Sequence, residues 1–190
     1  MARINENLFL LGASGMVGRQ LVYRNCKGGI ILSKRPRRPK KKSDAQMAQM
    51  LRFKEAVIYA KSALTDEATF KRYSEKAANS EVGLSARNVA IADYLNVPVI
   101  KKVNSEKYSG QAGEIIVVSA IDDFEVKEVT VEIRQNDNSL VEKGKALADV
   151  NGLDWVYTTQ SVNAMLAGSV VIVCAIDRPG NITTKEVVKG

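Results

Sequence analysis

Apolar residues recur at two different spacings along this chain, and the change comes near its middle. In the first half, Met47, Met50, Leu51, Val57 and Ile58 follow one another at helical spacing. In the second half, apolar and polar residues alternate, as they do in half-buried strands. The first half therefore predicts helices, and the second half predicts β-strands.

The most clearly marked helix follows Ser43. Ser43-Asp44-Ala45-Gln46 has the capping-box pattern, in which the first and last side chains each bond the other's backbone N–H. We predict a helix over about 44–63, with Met47 and Met50 in the core and not in a peptide-binding groove.

A second helix is predicted after Thr65, whose hydroxyl is a suitable N-cap. Asp66 and Glu67 then complement the positive end of the helix dipole. Phe70 and Tyr73 are expected on its buried side.

A third helix is predicted after Ser85, which is a further candidate N-cap. Val89, Ala92 and Leu95 recur at helical spacing, and Pro98 stops the helix.

Residues 7–33 are mostly apolar, β-branched or glycine. Lys27-Gly28-Gly29 lies between two apolar runs, 21–24 and 30–32, and this order predicts a β-hairpin. Pro36 and Pro39 follow it and exclude a helix interior. We therefore expect residues 34–42 to form an extended arm.

Short apolar or alternating runs in the second half are separated by turn signals such as Asn-Gly and Pro-Gly-Asn. Short strands at near-regular spacing predict a β-sandwich. The runs cover residues 115–121, 129–134, 155–158 and 169–176.

Positive charge is concentrated at the N-terminal end. Residues 1–62 hold fourteen Lys or Arg against three acids, whereas residues 101–190 hold ten against thirteen. The chain has no His, so it lacks the usual acid–base group at neutral pH and the commonest metal ligand. Hydrolase triads and His-bearing zinc sites are excluded. We predict no catalytic residues and no cofactor.

The densest charge lies in the predicted arm. An arm of this kind suits a protein surface, nucleic acid or anionic lipid, and electrostatics alone does not separate these partners. Because no aromatic residue lies between Tyr23 and Phe53, nucleic acid would be held there by its phosphates, without reading of sequence. The predicted contact residues are Lys34, Arg35, Arg37, Arg38, Lys40, Lys41 and Lys42.

The glycines Gly12, Gly15 and Gly18 follow an apolar run, and this segment resembles the opening of a short-chain dehydrogenase. The resemblance implies an NADP-dependent reductase whose glycines cradle the pyrophosphate. The rest of the chain lacks the repeated βα units that build such a site, and the only Tyr-x-x-x-Lys match, 23–27, lies inside the would-be cofactor unit. We therefore keep the reductase as an alternative and place the glycines in turns.

The first half also resembles a set of uncharacterised bacterial proteins. These share a Gly-rich start, a basic Pro-bearing arm and a helix opened by a Ser-x-x-Gln cap. The resemblance implies a module without an established activity. It rests on residues 15–24, 28–29, 33–36, 43–46 and 52–56.

The second half is similar to bacterial Ig-like or fibronectin-like domains. The similarity rests on Asp122-Asp123 after a core strand, Trp155-Val156-Tyr157-Thr158, Gly168 and the closing segment 175–181. It implies a rigid contact surface. Together the two halves predict an α+β protein: a hairpin, a basic arm and about three helices in residues 1–98, then an Ig-like antiparallel β-sandwich in residues 99–190.

Several single residues have a functional interpretation that we weigh against a purely structural one. Asp122, Asp123 and Asp177 carry the hard oxygen ligands that calcium prefers, but we interpret them as turn acids and predict no metal. Trp155 is expected in the core. Cys26 and Cys174 are expected to act as small apolar residues, because two separated cysteines do not make a disulfide framework.

The leading functional prediction is a non-enzymatic structural subunit of a virion, filament or other repeating assembly. It would dock through its basic N-terminal arm and display the Ig-like domain. Nucleic-acid association through residues 34–42 is the first alternative, and the NADP-dependent reductase is the second. Since neither a signal peptide nor a transmembrane helix is recognised, we expect synthesis in the cytoplasm.

Overall fold

The computed structural model describes residues 2–4, 10, 12–26, 29–36, 41–81 and 83–189. Over these residues the protein has the predicted α+β fold, with three helices and three four-stranded antiparallel sheets. The chain divides into two compact units, Met1–Val89 and Ala90–Gly190. The change of pattern in the sequence predicts a later boundary, after residue 98.

The first unit contains a sheet of four short strands. They are β1 (Ala2–Ile4), β2 (Gly15–Val17), β3 (Leu21–Cys26) and β4 (Gly29–Lys34), in the order β1-β4-β3-β2. Strands β3 and β4 form the predicted hairpin, with Val22 opposite Ser33 and Cys26 opposite Gly29. The sequence analysis did not predict β1 and β2 on either side of it.

Helix α1 (Asp44–Ala63) begins and ends where the sequence predicts. The Gln46 N–H donates to the Ser43 hydroxyl over 3.3 Å, and the Ser43 N–H donates to Oε1 of Gln46 over 3.1 Å. This capping box satisfies two of the N–H groups that a helix start leaves free.

Helix α2 (Glu67–Ala78) begins one residue later than predicted. Its N-cap is Asp66, whose carboxylate accepts from the Thr69 N–H over 2.8 Å. The Thr65 hydroxyl donates instead to the Ser62 carbonyl, over 2.6 Å. The prediction of Thr65 as the cap was wrong, because its hydroxyl turns back toward the end of α1.

Helix α3 (Ala86–Leu95) has the predicted cap, since the Asn88 N–H donates to the Ser85 hydroxyl over 3.3 Å. The end of α3 belongs to the second unit. There the Asn181 side-chain amide donates to the carbonyl oxygens of Tyr94 and Asn96, at 3.2 and 3.0 Å.

The second unit contains two sheets. One has the order β5-β6-β10-β9, and the other has the order β12-β11-β7-β8. The strands of the first are β5 (Val99–Asn104), β6 (Ile115–Ile121), β9 (Leu147–Ala148) and β10 (Asp154–Thr158). Those of the second are β7 (Val126–Arg134), β8 (Leu140–Lys145), β11 (Val170–Asp177) and β12 (Ile182–Val188).

One core joins these two sheets into a sandwich. Alternate residues of each central strand point into it, and Trp155, which was expected in the core, packs against it from a partly buried position. A single buried cluster shared by both sheets is the arrangement of a packed sandwich. Its strand members are Ile100, Ile116, Val118, Ala120, Val129, Val131, Ile133, Tyr157, Val171, Val173 and Ala175.

The two outer strands of one sheet, β5 and β9, are interrupted or covered. Strand β9 has two residues, and the pairing of β5 with β6 shifts between Ile100 and Lys102. The Lys185 ammonium on β12 donates to the carbonyl oxygens of Ile100 and Lys101 on β5, at 3.4 and 3.0 Å. Backbone groups on the free side of β5 are thus partly occupied.

Candidate docking surfaces

The glycines of the dehydrogenase-like segment lie in an antiparallel sheet. Gly12, Gly15 and Gly18 have φ of 77°, 112° and 59°, and Gly15 is the first residue of β2. The chain after Gly18 turns into strand β3, so residues 12–26 do not form the strand–turn–helix that a dinucleotide pyrophosphate requires. Gly12 and Gly18 lie in turns, and Gly15 begins β2.

The turn between β2 and β3 brings two basic residues together. Gly18 and Arg19 both have left-handed φ, and the Gln20 N–H donates to the Val17 carbonyl over 3.2 Å, which closes the turn. The Gln20 carbonyl then accepts from the Arg35 N–H over 2.8 Å. The chain leaving β4 is therefore fixed beside the turn that carries Arg19.

A groove of about 1160 Å³ lies over this part of the sheet. Its basic members are Arg19, Arg24, Lys34 and Arg35, and none of the described residues that line it is acidic. Like charges in one concave surface attract anionic partners. We call this surface the basic groove; its other lining residues are Met16, Gln20, Leu21, Val22 and Pro36.

Only part of the predicted contact arm lies in the basic groove. Lys34 and Arg35 line it, whereas Lys41 and Lys42 are exposed just before the Ser43 cap. Arg37, Arg38 and Lys40 lie outside the described residues. Sequence reasoning missed Arg19 and Arg24, because they lie in the β2–β3 turn and in β3, and only the folded sheet brings them into the same groove as Lys34 and Arg35.

A second surface of the N-terminal unit is the outer face of α1. Met47, Leu51 and Ile58 lie along one side of the helix, and all three are about half exposed or more. The expectation that Met47 and Met50 belong to the core was wrong. Apolar residues occur on all sides of this helix, so their spacing does not show which side is buried. The buried side carries Ala56 and Ala60.

The acidic residues proposed as a calcium alternative hold turns in the sandwich. Asp122 Oδ2 accepts from the N–H groups of Phe124 and Glu125, at 3.0 and 3.1 Å. Asp123 accepts from the side-chain amide of Asn96. In the described ranges no three carboxylate, Cys or His side chains form a group that could hold a metal ion.

Asp177 is fully buried at the turn between β11 and β12. Burial raises the pKa of its carboxyl, although hydrogen bonds from Asn181 and Gly180 oppose the rise. Those bonds reach Oδ1 from the Gly180 N–H over 2.8 Å and from the Asn181 N–H over 2.6 Å. The carboxylate thus ties the turn together.

An exposed apolar hairpin projects from the other sheet of the sandwich. We call residues 147–154 the presenting hairpin; they comprise β9, a turn and the first residue of β10. Val150 is fully exposed, and Leu147 and Leu153 are 77% and 57% exposed. Sequence reasoning used Asn151-Gly152 only as a turn signal and did not single out these apolar side chains.

Hydrogen bonds give the presenting hairpin a fixed shape. Asn151 Oδ1 accepts from the N–H groups of Leu153 and Asp154, both at 2.9 Å. The Asp149 N–H donates to the Asp154 carbonyl over 2.8 Å, and the Gly152 N–H donates to the Asp149 carbonyl over 3.0 Å. The exposed side chains are therefore held on a defined turn.

No family model and no curated protein matches this chain. Among solved structures, CopC from Methylosinus trichosporium OB3b aligns with 49% of this chain and 89% of its own, at 12% identity and a TM-score of 0.35. An engineered protein aligns with 59% of this chain at 19% identity and a TM-score of 0.33. Surface layer protein SbsC, domains 1–6, aligns with 77% at 11% identity and a TM-score of 0.32. This chain covers 24% of each of the latter two.

These likenesses assign neither a family nor an activity to this chain. None of the helices in the described part of the chain is both long and apolar enough to span a membrane.

Proposed function

We propose that this protein is a non-enzymatic structural subunit of a repeating assembly, such as a virion or filament. Its N-terminal unit docks into neighbouring subunits, and its sandwich is displayed. The observation that carries this proposal is the distribution of apolar side chains in the N-terminal unit.

Of the large apolar side chains that the structure describes in that unit, more are exposed than buried. Among its described residues the apolar core consists of Ile30, Ala56, Ala60, Tyr73, Ala77 and Val89. Extended apolar surface on a folded protein marks a contact with another molecule, because water covers it at a cost in free energy. The exposed set is Met16, Val17, Leu21, Met47, Met50, Leu51, Phe53, Ile58, Phe70 and Leu84.

The second unit supports the display role. In strand order, β5-β6-β10-β9 facing β12-β11-β7-β8 corresponds to the A-B-E-D and G-F-C-C′ sheets of immunoglobulin domains. We therefore infer that it is an Ig-like domain. A rigid sandwich of this type presents loops at its ends without needing a partner for its own core.

The test measures the mass of the full-length protein by light scattering over a range of concentration and salt. We expect species larger than a monomer, and we expect Leu51→Glu on the outer face of α1 to weaken their association. Ala68→Glu places the same charge at an exposed position of α2 and is the matched control, expected to assemble like the wild type.

A monomer at every concentration, without a copurifying protein, would refute the assembly function. Nucleic-acid absorbance in the particles that disappears at high salt would instead support the phosphate-binding alternative, since salt weakens such contacts steeply.

A further inference from the structure

We infer that the basic groove of one copy binds the presenting hairpin of a second copy. This contact rests on the assembly function proposed above and names its partner. The groove and the hairpin belong to different units of the chain, and each is described by residues that fold within its own unit.

Charge is the first argument for this pairing. The groove offers Arg19, Arg24, Lys34 and Arg35, and the hairpin carries Asp149 and Asp154. The same complementarity holds for whole units: residues 1–89 have eighteen Lys or Arg against seven acids, and residues 90–190 have ten against fourteen. Opposite charges of this kind steer copies together and fix their orientation.

Apolar side chains supply the second argument. Met16, Leu21, Val22 and Pro36 line the groove between its cations. The hairpin presents Leu147 of β9 together with Val150 and Leu153 to solvent. Docking would remove both sets from water, and burial of apolar area is the main favourable term in protein association.

The shape of the hairpin is already set before docking. Asn151 holds the backbone N–H groups of Leu153 and Asp154, so Val150 lies on a closed turn. A loop that is ordered in its free state loses little conformational entropy on binding. The presenting hairpin is therefore suited to insertion into a preformed groove.

The groove also suits a polypeptide better than a nucleic acid. Its volume of about 1160 Å³ is above the range of roughly 300–1,000 Å³ that is usual for small-ligand pockets. None of the described residues that line it is aromatic, so it offers no platform for stacked bases. Its apolar members would remain in water beneath a phosphate backbone.

Because the two surfaces differ, the contact is heterologous and repeats from copy to copy. Such contacts close into a ring or continue as a filament, depending on the rotation between copies. A copy with a defective groove still has its hairpin, and a copy with a defective hairpin still has its groove. These two copies must therefore bind each other through a single contact, which provides a decisive test.

The groove variant is Arg24→Glu with Lys34→Glu, and the hairpin variant is Leu147→Lys with Val150→Lys. We expect each alone to be monomeric under conditions in which the wild type assembles. An equimolar mixture should give a heterodimer that does not grow at higher concentration, as read by sedimentation velocity.

Matched controls change the same number of exposed residues elsewhere in each unit. Lys71→Glu with Arg87→Glu is the control for the groove, and Val162→Lys with Met165→Lys is the control for the hairpin; both should assemble like the wild type. If circular dichroism shows that the groove variant is unfolded, Arg24→Gln replaces it, and Val150→Thr likewise replaces an unfolded hairpin variant. We expect each of these milder changes to lower the affinity about tenfold.

Three results would overturn the contact. One is assembly of either variant alone at wild-type affinity, and another is a mixture that stays monomeric while the wild type assembles. The third is assembly that nuclease abolishes, which would make nucleic acid the occupant of the groove. In each case the wild type still assembles, whereas failure of the proposed function leaves the wild type itself monomeric.

Discussion

The side-chain amide of Asn151 donates to Oδ2 of Asp154 over 2.8 Å and so closes the presenting hairpin. Ser119, on the neighbouring strand β6, donates its hydroxyl to the other carboxylate oxygen. Both hydrogen bonds lower the pKa of Asp154, and the bond from Ser119 has the larger effect. The negative charge of the hairpin therefore persists below the pH at which an ordinary Asp becomes protonated.

Replacement of Asn151 by Ala should loosen the hairpin without unfolding the sandwich. The N–H groups of Leu153 and Asp154 lose their acceptor, and we expect their hydrogen exchange to accelerate. Association of copies should weaken by about tenfold, because the loop must then be ordered on binding.

Hydrogen-exchange mass spectrometry and sedimentation velocity test this expectation. Asn104→Ala removes a similar exposed side-chain acceptor, for the Glu106 N–H, and is the control. Unchanged exchange at residues 153 and 154 would show that Asn151 does not order the hairpin.

Gly144 on β8 faces the ring of Tyr157 so closely that a Cβ there would lie 2.7 Å from Cε2. Tyr157 is buried in the sandwich core and has little room to move. Gly144→Ala should therefore lower the free energy of unfolding by about 1–3 kcal/mol, as overpacking of a core does.

Denaturant unfolding measures this loss. The control Glu186→Ala, at an exposed position of β12, should change stability by less than about 0.5 kcal/mol. Equal stability of Gly144→Ala and the wild type would mean that the ring has space to shift.

Burial raises the pKa of Tyr157 to about 12, and the charge of Glu142 adds to the rise. In the unfolded chain the same phenol releases its proton near pH 10. The folded state thus holds its proton more tightly, so this group's contribution to stability is complete below about pH 10 and is lost as the pH rises toward 12.

Ultraviolet titration of tyrosinate in the wild type and Tyr157→Phe isolates this group. Glu142→Gln should lower the pKa of Tyr157, since it removes the neighbouring negative charge. A wild-type difference curve centred near pH 10 would contradict the expected burial.

Arg19 has a φ of 57°, a left-handed conformation that is unfavourable for arginine. Asn adopts this conformation more readily. Arg19→Asn should therefore leave the melting temperature unchanged or raised, while docking weakens because the groove loses a cation.

The melting temperature and the salt dependence of assembly together test this separation of stability from docking. Lys71→Asn is the control for the lost charge. A melting temperature well below that of the wild type would show that the Arg19 side chain supports the sheet.

Local signals in the sequence were sufficient for α1. Its capping box lies within four consecutive residues, so no distant contact is needed to place the helix start. The strands β6 and β11 were also predicted, since each is an apolar run with a buried alternate face.

The missed strands are at sheet edges. β12 reads Ile-Thr-Thr-Lys-Glu-Val-Val and alternates between exposed and half-buried positions, so its sequence does not stand out. The basic groove could not be predicted either, because its basic residues come from the β2–β3 turn, from β3 and from the end of β4, and only the folded sheet brings them together. For the same reason the composition shows that residues 34–42 are basic but does not indicate the basic groove beside them.

Protected outer strands of the sandwich limit the ways in which two copies can join. An open edge strand invites the strand of another molecule and leads to uncontrolled, amyloid-like growth. Here β9 is two residues long, β5 is bulged and bonded by Lys185, and β8 carries Lys143 and Lys145. Strand addition is hindered at these three edges, so an assembly of the kind proposed above is expected to form through side chains and to dissociate at high salt.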